Sequence, residues 1–239
     1  FEWWKENVRK QLLEYGIEST WNDNNEFEIW SKDAQCNGFG ENISFEPVRA
    51  LQPLLMMKAS YEAQKEYNPK IRPYLISRSG IPGMQRYVQT WSGDNYTEWK
   101  TLKYNIKMGL GLSLSGIYNI GHDVGGFAGP TPEPELLVRW VQNGIFHPRF
   151  TIHSWNEDKS VNVPWMYEET TGYIRDLIKF RHRITPYLYT ALYEAHKKYK
   201  PILRPTFYEF EKDKNTFKEN DDFLLGEAML VASVVEKGQ

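Results

Sequence analysis

The sequence predicts an α/β protein built from parallel βα units, and within that class a (β/α)8 TIM barrel. Strand-like segments alternate with helix-like segments, and no hairpin signal separates the first five predicted strands. Four connections after strands are long and hold most of the chemically interesting side chains, as in barrels, whose active sites lie in those loops. A dinucleotide-binding sheet is disfavoured, because Leu114 occupies the third glycine position of the motif that Gly109 and Gly111 begin.

Helices are predicted where apolar residues recur at helical spacing. The first covers Phe1 to Tyr15 and ends at Gly16, and Pro47 opens a second one that continues to about Tyr67. Further helices are expected over residues 97–108, 135–146 and 168–199. Within the last of these, the basic cluster Arg181, His182 and Arg183 is interpreted as a solvated face.

Five short apolar segments are predicted as the strands of the βα units. They cover residues 17–21, 71–77, 112–118, 147–153 and 201–210. Residues 22–46 and 80–95 are expected to be irregular loops. The segment FLLGEAMLVASVV, from Phe223 to Val235, is apolar and lacks a helical repeat, which predicts the first strands of a further domain.

The composition is typical of a globular protein and excludes several other classes. The chain has 239 residues, 41% of them hydrophobic and 25% charged, with a net charge of −2, which disfavours nucleic acid as a partner. The longest uncharged stretch, Met108 to Gly121, is too short and too rich in glycine to span a membrane. Aromatic residues make up 15% of the chain, including nine Trp, and such rings can stack on the apolar faces of sugars.

Cys36 is the only cysteine, which excludes an internal disulfide and a cysteine zinc site. His122, His147 and His153 do not form a helical ligand pair, so we expect neither a metal nor another cofactor. The sequence leaves localisation open. One cysteine without a visible signal peptide favours the cytoplasm, but the chain does not begin with Met and resembles a fragment.

Three aspartates follow three different predicted strands. Asp23 lies in TWNDNNE, Asp94 in TWSGDN and Asp123 in GHDVGGF. Taken singly, each is interpreted as a turn or helix-cap residue. Together they are a stronger signal, because glycoside hydrolysis needs one ionised carboxylate and one protonated carboxyl group across the scissile bond. Arg78 and His153, also at strand ends, could bind sugar hydroxyls, although alone a surface cation and an ordinary histidine are the simpler interpretations.

Four motifs together resemble glycoside hydrolase family 31, the retaining α-glucosidases and α-xylosidases. They occur in the order TWNDNNE, RSGIPGMQRYVQTWSGDN, GHDVGGF and HPRFTIHS, beginning at residues 20, 78, 121 and 147. The resemblance covers nearly the whole chain, and FLLGEAMLVASVV resembles the family's entry into its C-terminal β-sandwich.

The resemblance implies a role for each matching residue. Asp23 matches the nucleophile and Asp94 the general acid/base. The positions that match the lining of the sugar subsite are Trp21, Arg78, Asp123, Phe127 and His153, and Trp91 is expected to shape the acid/base loop. One departure is Asn24, which stands where many members have Met directly after the nucleophile, and it leaves the sugar open.

The resemblance therefore implies a retaining α-glycosidase acting on an oligosaccharide or α-glycoside, in the first place an α-glucosidase. Asp94 would protonate the glycosidic oxygen while Asp23 attacks the anomeric carbon, with the carboxyl groups about 5–5.5 Å apart. An α-xylosidase or transglycosidase of the same family stays open, as do a homo-oligomer and a non-catalytic carbohydrate-binding homologue. Retention of both Asp23 and Asp94 argues against the last.

A closed barrel needs eight strands, and only five are predicted. We therefore expect residues 1–212 to form strands four to eight of a larger barrel, and residues 213–239 to begin a C-terminal β-sandwich. A piece of this kind should be poorly stable and inactive by itself, because an open barrel exposes strand edges and core.

Overall fold

The computed structural model describes residues 1–38 and 40–239, which divide into two units, residues 1–90 and residues 91–239. Each unit contains parallel strands with helices packed against them. Among the described residues, none of the helices combines the length and the apolar character that a bilayer crossing requires.

The first unit consists of two packed helices, three parallel strands and a small hairpin. Its elements are α1 (Glu2–Gln11), β1 (Ser19–Asn22), β2 (Gln35–Gly38), β3 (Glu41–Ser44), α2 (Leu51–Tyr67), β4 (Tyr74–Ser77) and β5 (Gln89–Trp91). Strand β1 pairs in parallel with β4, with Trp21 opposite Ile76. Strand β4 pairs in parallel with β5, with Ser77 opposite Thr90. Parallel pairing places the carboxyl ends of these strands at one edge.

Helix α1 packs on α2 through a small apolar core of Val8, Leu13 and Ala63. The predicted end of this helical segment is confirmed, because Gly16 has φ 83° and closes a short 3-10 turn. This left-handed conformation costs glycine little and most other residues more.

Gln64 on α2 holds the two strands that lead into the candidate site. Its Nε2 atom donates to Oγ1 of Thr20 at 2.9 Å, and its Oε1 atom accepts the backbone N–H of Tyr74 at 2.8 Å. Gln64 is 5% exposed. A buried amide whose donor and acceptor are both satisfied fixes β1 and β4 to the same helix. The residues after these strands, Asp23 and Arg78, are positioned by this arrangement.

The second unit contains two parallel strands, four helices and an antiparallel sheet. Its elements are α3 (Trp99–Leu114), β6 (Ile120–Asp123), α4 (Pro134–Gly144), β7 (Arg149–Thr151), α5 (Glu168–Lys198), β8 (Leu203–Pro205), α6 (Thr206–Glu209), β9 (Phe223–Leu225) and β10 (Met229–Val231). Strands β6 and β7 are parallel, with His122 opposite Phe150. Strands β8 and β10 both pair antiparallel with β9.

Helix α4 shows why the core of the second unit forms. Pro134 begins the helix, where its missing N–H costs nothing. Leu136, Leu137, Trp140 and Val141 then follow at spacings that place them on one face, and all four are buried. Trp140 is among the largest fully buried side chains of the described residues.

The α/β class and the parallel strands are confirmed, but several elements differ from the prediction. The predicted strand at 112–118 is wrong: Leu112–Leu114 complete α3, and the strand begins at Ile120. The predicted helix ended at Met108, whereas Gly109 and Gly111 both lie inside α3. A Cβ at position 109 would stand 3.3 Å from the side chain of Leu203, so glycine allows the helix to pack closely at this point.

Two of the expected loops contain strands. Residues 80–95 include β5, and residues 22–46 include the β2–β3 hairpin. The predicted strand at 201–210 is shorter, covers Leu203–Pro205, and joins the antiparallel sheet. The proposed domain boundary after residue 212 stays a prediction.

The interpretation of Arg181 as part of a solvated face is wrong. Its guanidinium is half-buried and donates hydrogen bonds to the backbone carbonyls of Ile145, His147 and Pro148. Burial lowers the pKa of Arg181 to about 10. Sequence periodicity gave no sign of these partners, because carbonyl groups near the end of another helix are not encoded by side-chain type.

Candidate active site

Asp23 follows β1 directly and forms an ion pair with Arg78, which follows β4. Nη1 of Arg78 lies 3.1 Å from Oδ1 of Asp23. The Asp23 side chain is 48% exposed, whereas that of Arg78 is 17% exposed. The carboxylate is therefore accessible to a ligand while the guanidinium of Arg78 is held against one of its oxygens. These are properties that a carboxylate nucleophile requires.

Arg78 also contacts the residues that follow the candidate nucleophile. Its Nε atom lies 2.6 Å from Oε1 of Glu26, and Nη2 donates to Oδ1 of Asn24. The bond from Arg78 lowers the pKa of Glu26, so this carboxyl group stays ionised. Asn24 has φ 48°, in the left-handed region that Asn tolerates better than Met. The asparagine that departs from the family pattern is thus fixed by its backbone and by Arg78.

Asn25 joins the same two loops from inside the first unit. It is 1% exposed, donates to Oγ of Ser77 at 2.8 Å and accepts the N–H of Ser79 at 3.0 Å. A buried side chain that is satisfied at both ends holds the loop around Asp23 against the loop around Arg78. Trp21, the other site residue predicted in this unit, lies two residues before Asp23 and is 43% exposed.

In the second unit, Asp123 ends β6 and lies against a buried arginine. Nη1 of Arg149 is 3.3 Å from Oδ1 of Asp123, with both side chains at most 2% exposed. Burial raises the pKa of Asp123 to about 6; Arg149 and His153 oppose this shift, and Asp94 adds to it. The guanidinium of Arg149 also stands 5.7 Å from the ring centre of Trp91, in a cation–π contact.

Asp94 lies in a turn that is hydrogen-bonded to the loop after Asp123. The carbonyl of Asn95 accepts the N–H groups of Phe127 at 2.7 Å and Ala128 at 3.0 Å. Phe127 in turn contacts His153, with ring centres 5.2 Å apart. The structure therefore brings Asp94, Asp123, Phe127 and His153 together in the second unit.

The site residues predicted from sequence thus fall into two groups. Asp23, Trp21 and Arg78 lie at the strand ends of the first unit, and Asp94, Trp91, Asp123, Phe127 and His153 belong to the second. Sequence reasoning missed Arg149, although it lies in the quoted HPRFTIHS motif. An arginine in an apolar segment that predicts a strand is the signal that could have identified it, since a buried arginine requires a buried acid.

Two buried histidines lie behind the second group. His122 and His147 have ring centres 5.0 Å apart, and His147 also packs edge-on against Phe223. Burial lowers the pKa of His147 to about 3 and holds that of His122 well below its ordinary value, so both rings are neutral. Among the described residues, no three side chains of His, Cys, Asp or Glu are grouped as metal ligands.

Family models match almost the whole chain. Residues 1–191 match the glycosyl hydrolases family 31 TIM-barrel domain, and residues 199–239 match the glycosyl hydrolase family 31 C-terminal domain. The predicted TIM-barrel class and the start of a C-terminal domain are therefore confirmed.

Individual relatives agree with this assignment. α-Glucosidase 2 of Bacillus thermoamyloliquefaciens is 34% identical over 98% of the chain, which spans 30% of that protein's length. A GH31 dextranase of Flavobacterium johnsoniae in complex with glucose has a TM-score of 0.88 at 30% identity, over 100% of this chain and 30% of its own. A GH31 α-xylosidase from a soil metagenome in complex with xylose has a TM-score of 0.89 at 26% identity. The match covers 99% of this chain and 38% of the α-xylosidase. The chain belongs to glycosyl hydrolase family 31.

Proposed function

We propose that this chain carries the catalytic residues of a retaining α-glycosidase, with Asp23 as nucleophile and Asp94 as general acid/base. The observation that carries the proposal is the Asp23–Arg78 ion pair at 3.1 Å, in which an accessible carboxylate contacts a mostly buried cation two residues after the exposed Trp21. Relatives named α-glucosidases, of which the chain spans about a third or less, support the reaction class.

In the first step, Asp94 gives its proton to the glycosidic oxygen and Asp23 attacks the anomeric carbon. The C–O bond to the leaving group breaks, and an ester bond to Asp23 forms. In the second step, Asp94 takes a proton from water, which displaces Asp23 and gives a product with its configuration retained. Asp123 is proposed to bind sugar hydroxyls, since its ion pair with Arg149 fixes the direction of the carboxylate.

The preferred sugar is proposed to be glucose, with xylose as the second candidate. The glucose-bound dextranase and the named α-glucosidases favour glucose, and the xylose-bound α-xylosidase favours the alternative. A panel of p-nitrophenyl α-glucoside, α-xyloside and α-galactoside with the full-length protein separates them, and a kcat/KM ratio above about 10 is expected for the preferred sugar.

The mechanism is tested by trapping. A 5-fluoro-α-glycosyl fluoride of the preferred sugar should leave a covalent adduct that peptide mass spectrometry locates on Asp23. The Asp23→Ala variant should lose at least about 10³-fold in kcat and form no adduct. Proton NMR should show the α-anomer as the first product. A β-anomer, or an adduct on another carboxylate, would contradict the proposal, and activity of Asp23→Ala near the wild-type level would remove its role.

A further inference from the structure

A series of polar side chains connects the interior of the second unit to the turn that carries Asp94. It begins at His122 on β6, which is 3% exposed, and at Asn105 on α3, which is 1% exposed. Both reach the turn through the side chains of Ser92 and Asn95. Neither His122 nor Asn105 is among the residues to which the mechanism above gives a task.

Asn95 closes this turn with its own side chain. Its Nδ2 atom donates to the carbonyls of Ser92 and Gly93, both at 3.1 Å. Its backbone N–H also bonds the carbonyl of Gly93 at 2.9 Å, and Gly93 has φ 77°, which glycine adopts without strain. Asp94 lies between Gly93 and Asn95, so these bonds fix the backbone on both sides of it.

The carbonyl oxygen of the Asn95 side chain is held by two donors from elsewhere in the unit. Nδ2 of Asn105 donates to it from α3, and Oγ of Ser92 donates to it at 2.9 Å. Two donors on Oδ1 define which way the amide faces, and Nδ2 must then point toward the two turn carbonyls.

His122 supplies the last connection. Its Nδ1 atom lies 2.7 Å from Oγ of Ser92. A hydroxyl has a single proton, and Ser92 gives that proton to Asn95, so the hydroxyl accepts from Nδ1–H of His122. A neutral ring that carries its proton on Nδ1 therefore determines the direction of the Ser92 hydroxyl and, through it, of the Asn95 amide.

We propose that Ser92, Asn105 and His122 are positioning residues for the acid/base: they orient Asn95, and Asn95 orients Asp94. The inference rests on the proposed role of Asp94. A general acid must lie within hydrogen-bond reach of the oxygen that it protonates. A displacement of about 1 Å can cost about 100-fold in rate, so the loss of one connection should be visible in the step that needs the acid.

The experiment compares two substrates that differ in their need for an acid. With the sugar preferred by the full-length wild-type protein, the methyl α-glycoside has an alkoxide leaving group and needs protonation, whereas the α-glycosyl fluoride needs little. Ser92→Ala and His122→Leu should lower kcat/KM for the methyl glycoside about 10- to 100-fold and that for the fluoride less than about 3-fold. His122→Asn, whose amide nitrogen reproduces the Nδ1 donor, should recover most of the loss.

Ser113→Ala is the control, because Ser113 is a serine of the same unit that is buried on α3 and accepts a hydrogen bond from the N–H of Leu203. It should affect both substrates equally. Equal losses for both substrates in Ser92→Ala and His122→Leu would overturn the inference, as would failure of His122→Asn to differ from His122→Leu.

A second measurement is independent of activity. Amide hydrogen exchange over residues 92–97 should be faster in His122→Leu than in wild type and close to wild type in His122→Asn. Unchanged exchange in His122→Leu overturns the positioning network. A wild-type protein that cleaves no α-glycoside would contradict the proposed function. The hydrogen-exchange result would then still test whether His122 holds the turn around Asp94.

Discussion

Nη1 of Arg149 lies 3.3 Å from Oδ1 of Asp123, and neither side chain is more than 2% exposed. Such a pair stabilises little relative to apolar residues, but removing one partner leaves the other charge buried alone. Arg149→Met is therefore expected to lower the free energy of unfolding by about 3–5 kcal/mol and to raise the pKa of Asp123 above about 6. Asp123→Asn combined with Arg149→Met should be less destabilised than the sum of the single variants. Denaturant unfolding of all four proteins gives this coupling, and simple additivity would show that the pair is not coupled.

His147 should make stability depend on pH. Its pKa is about 3 in the folded protein and near its ordinary value when unfolded, so between about pH 6.5 and pH 3 the unfolded state binds the extra proton. Stability is therefore present above pH 6.5 and lost as pH falls, by about 1.4 kcal/mol per pH unit for one group. His147→Phe should reduce this slope between pH 6 and pH 4. Neither ring nitrogen of His147 has a hydrogen-bond partner among the described residues, so the phenylalanine variant should be folded at pH 8. An unchanged slope in thermal unfolding would contradict the assignment.

Gln64 should contribute to the free energy of unfolding of the first unit. Gln64→Leu removes its bonds to Thr20 and Tyr74 and leaves the buried hydroxyl of Thr20 without this donor, for an expected loss of about 2–4 kcal/mol in unfolding free energy. Gln52→Leu, a half-buried position at the start of the same helix, is the control and should change stability by less than about 1 kcal/mol. Equal effects of the two substitutions in urea unfolding would show that the Gln64 amide does not hold the strands.

Arg78 should not tolerate lysine. Its guanidinium contacts Asp23, Asn24 and Glu26 through three different nitrogen atoms, and an ammonium group cannot span them. Arg78→Lys is expected to lower kcat/KM about 10- to 100-fold. Arg72→Lys, an exposed arginine two residues before β4, should leave kcat/KM within about 2-fold of wild type. Full activity of Arg78→Lys would show that Asp23 needs only a positive charge at position 78 and not the forked guanidinium group.

The fold class could be predicted from the sequence because strand and helix periodicity is local, and the candidate site residues were identified from four ordered motifs. The predicted elements were wrong where contacts between residues distant in sequence determine the secondary structure. Leu112 to Leu114 have the composition of a strand, but they continue α3. The buried face of this helix includes Ile106 and Gly109, and its packing favours helix up to Leu114. Gln89 to Trp91 form only three residues of strand, too short for any alternation to be recognised.

Within the candidate site, the motifs indicated the aspartates but not the side chains that contact them. Arg149 and Asp123 are separated by 26 residues, and their pairing depends on the parallel register of β6 and β7. The orientation of Asn95 by Asn105, Ser92 and His122 depends in the same way on packing between α3 and β6. Residue type indicates which groups can bond, whereas tertiary structure decides which of them meet.

The half-buried guanidinium of Arg181 donates to three backbone carbonyls, those of Ile145, His147 and Pro148, just before Arg149 on β7. The segment from Ile145 to Pro148 can separate from the long helix α5 only if all three bonds break together. Helix α5 and the strand that carries the Asp123 counterion should therefore open as one cooperative unit. A substitution of Arg181 on α5 would in that case weaken the candidate site by releasing its buried cation, Arg149.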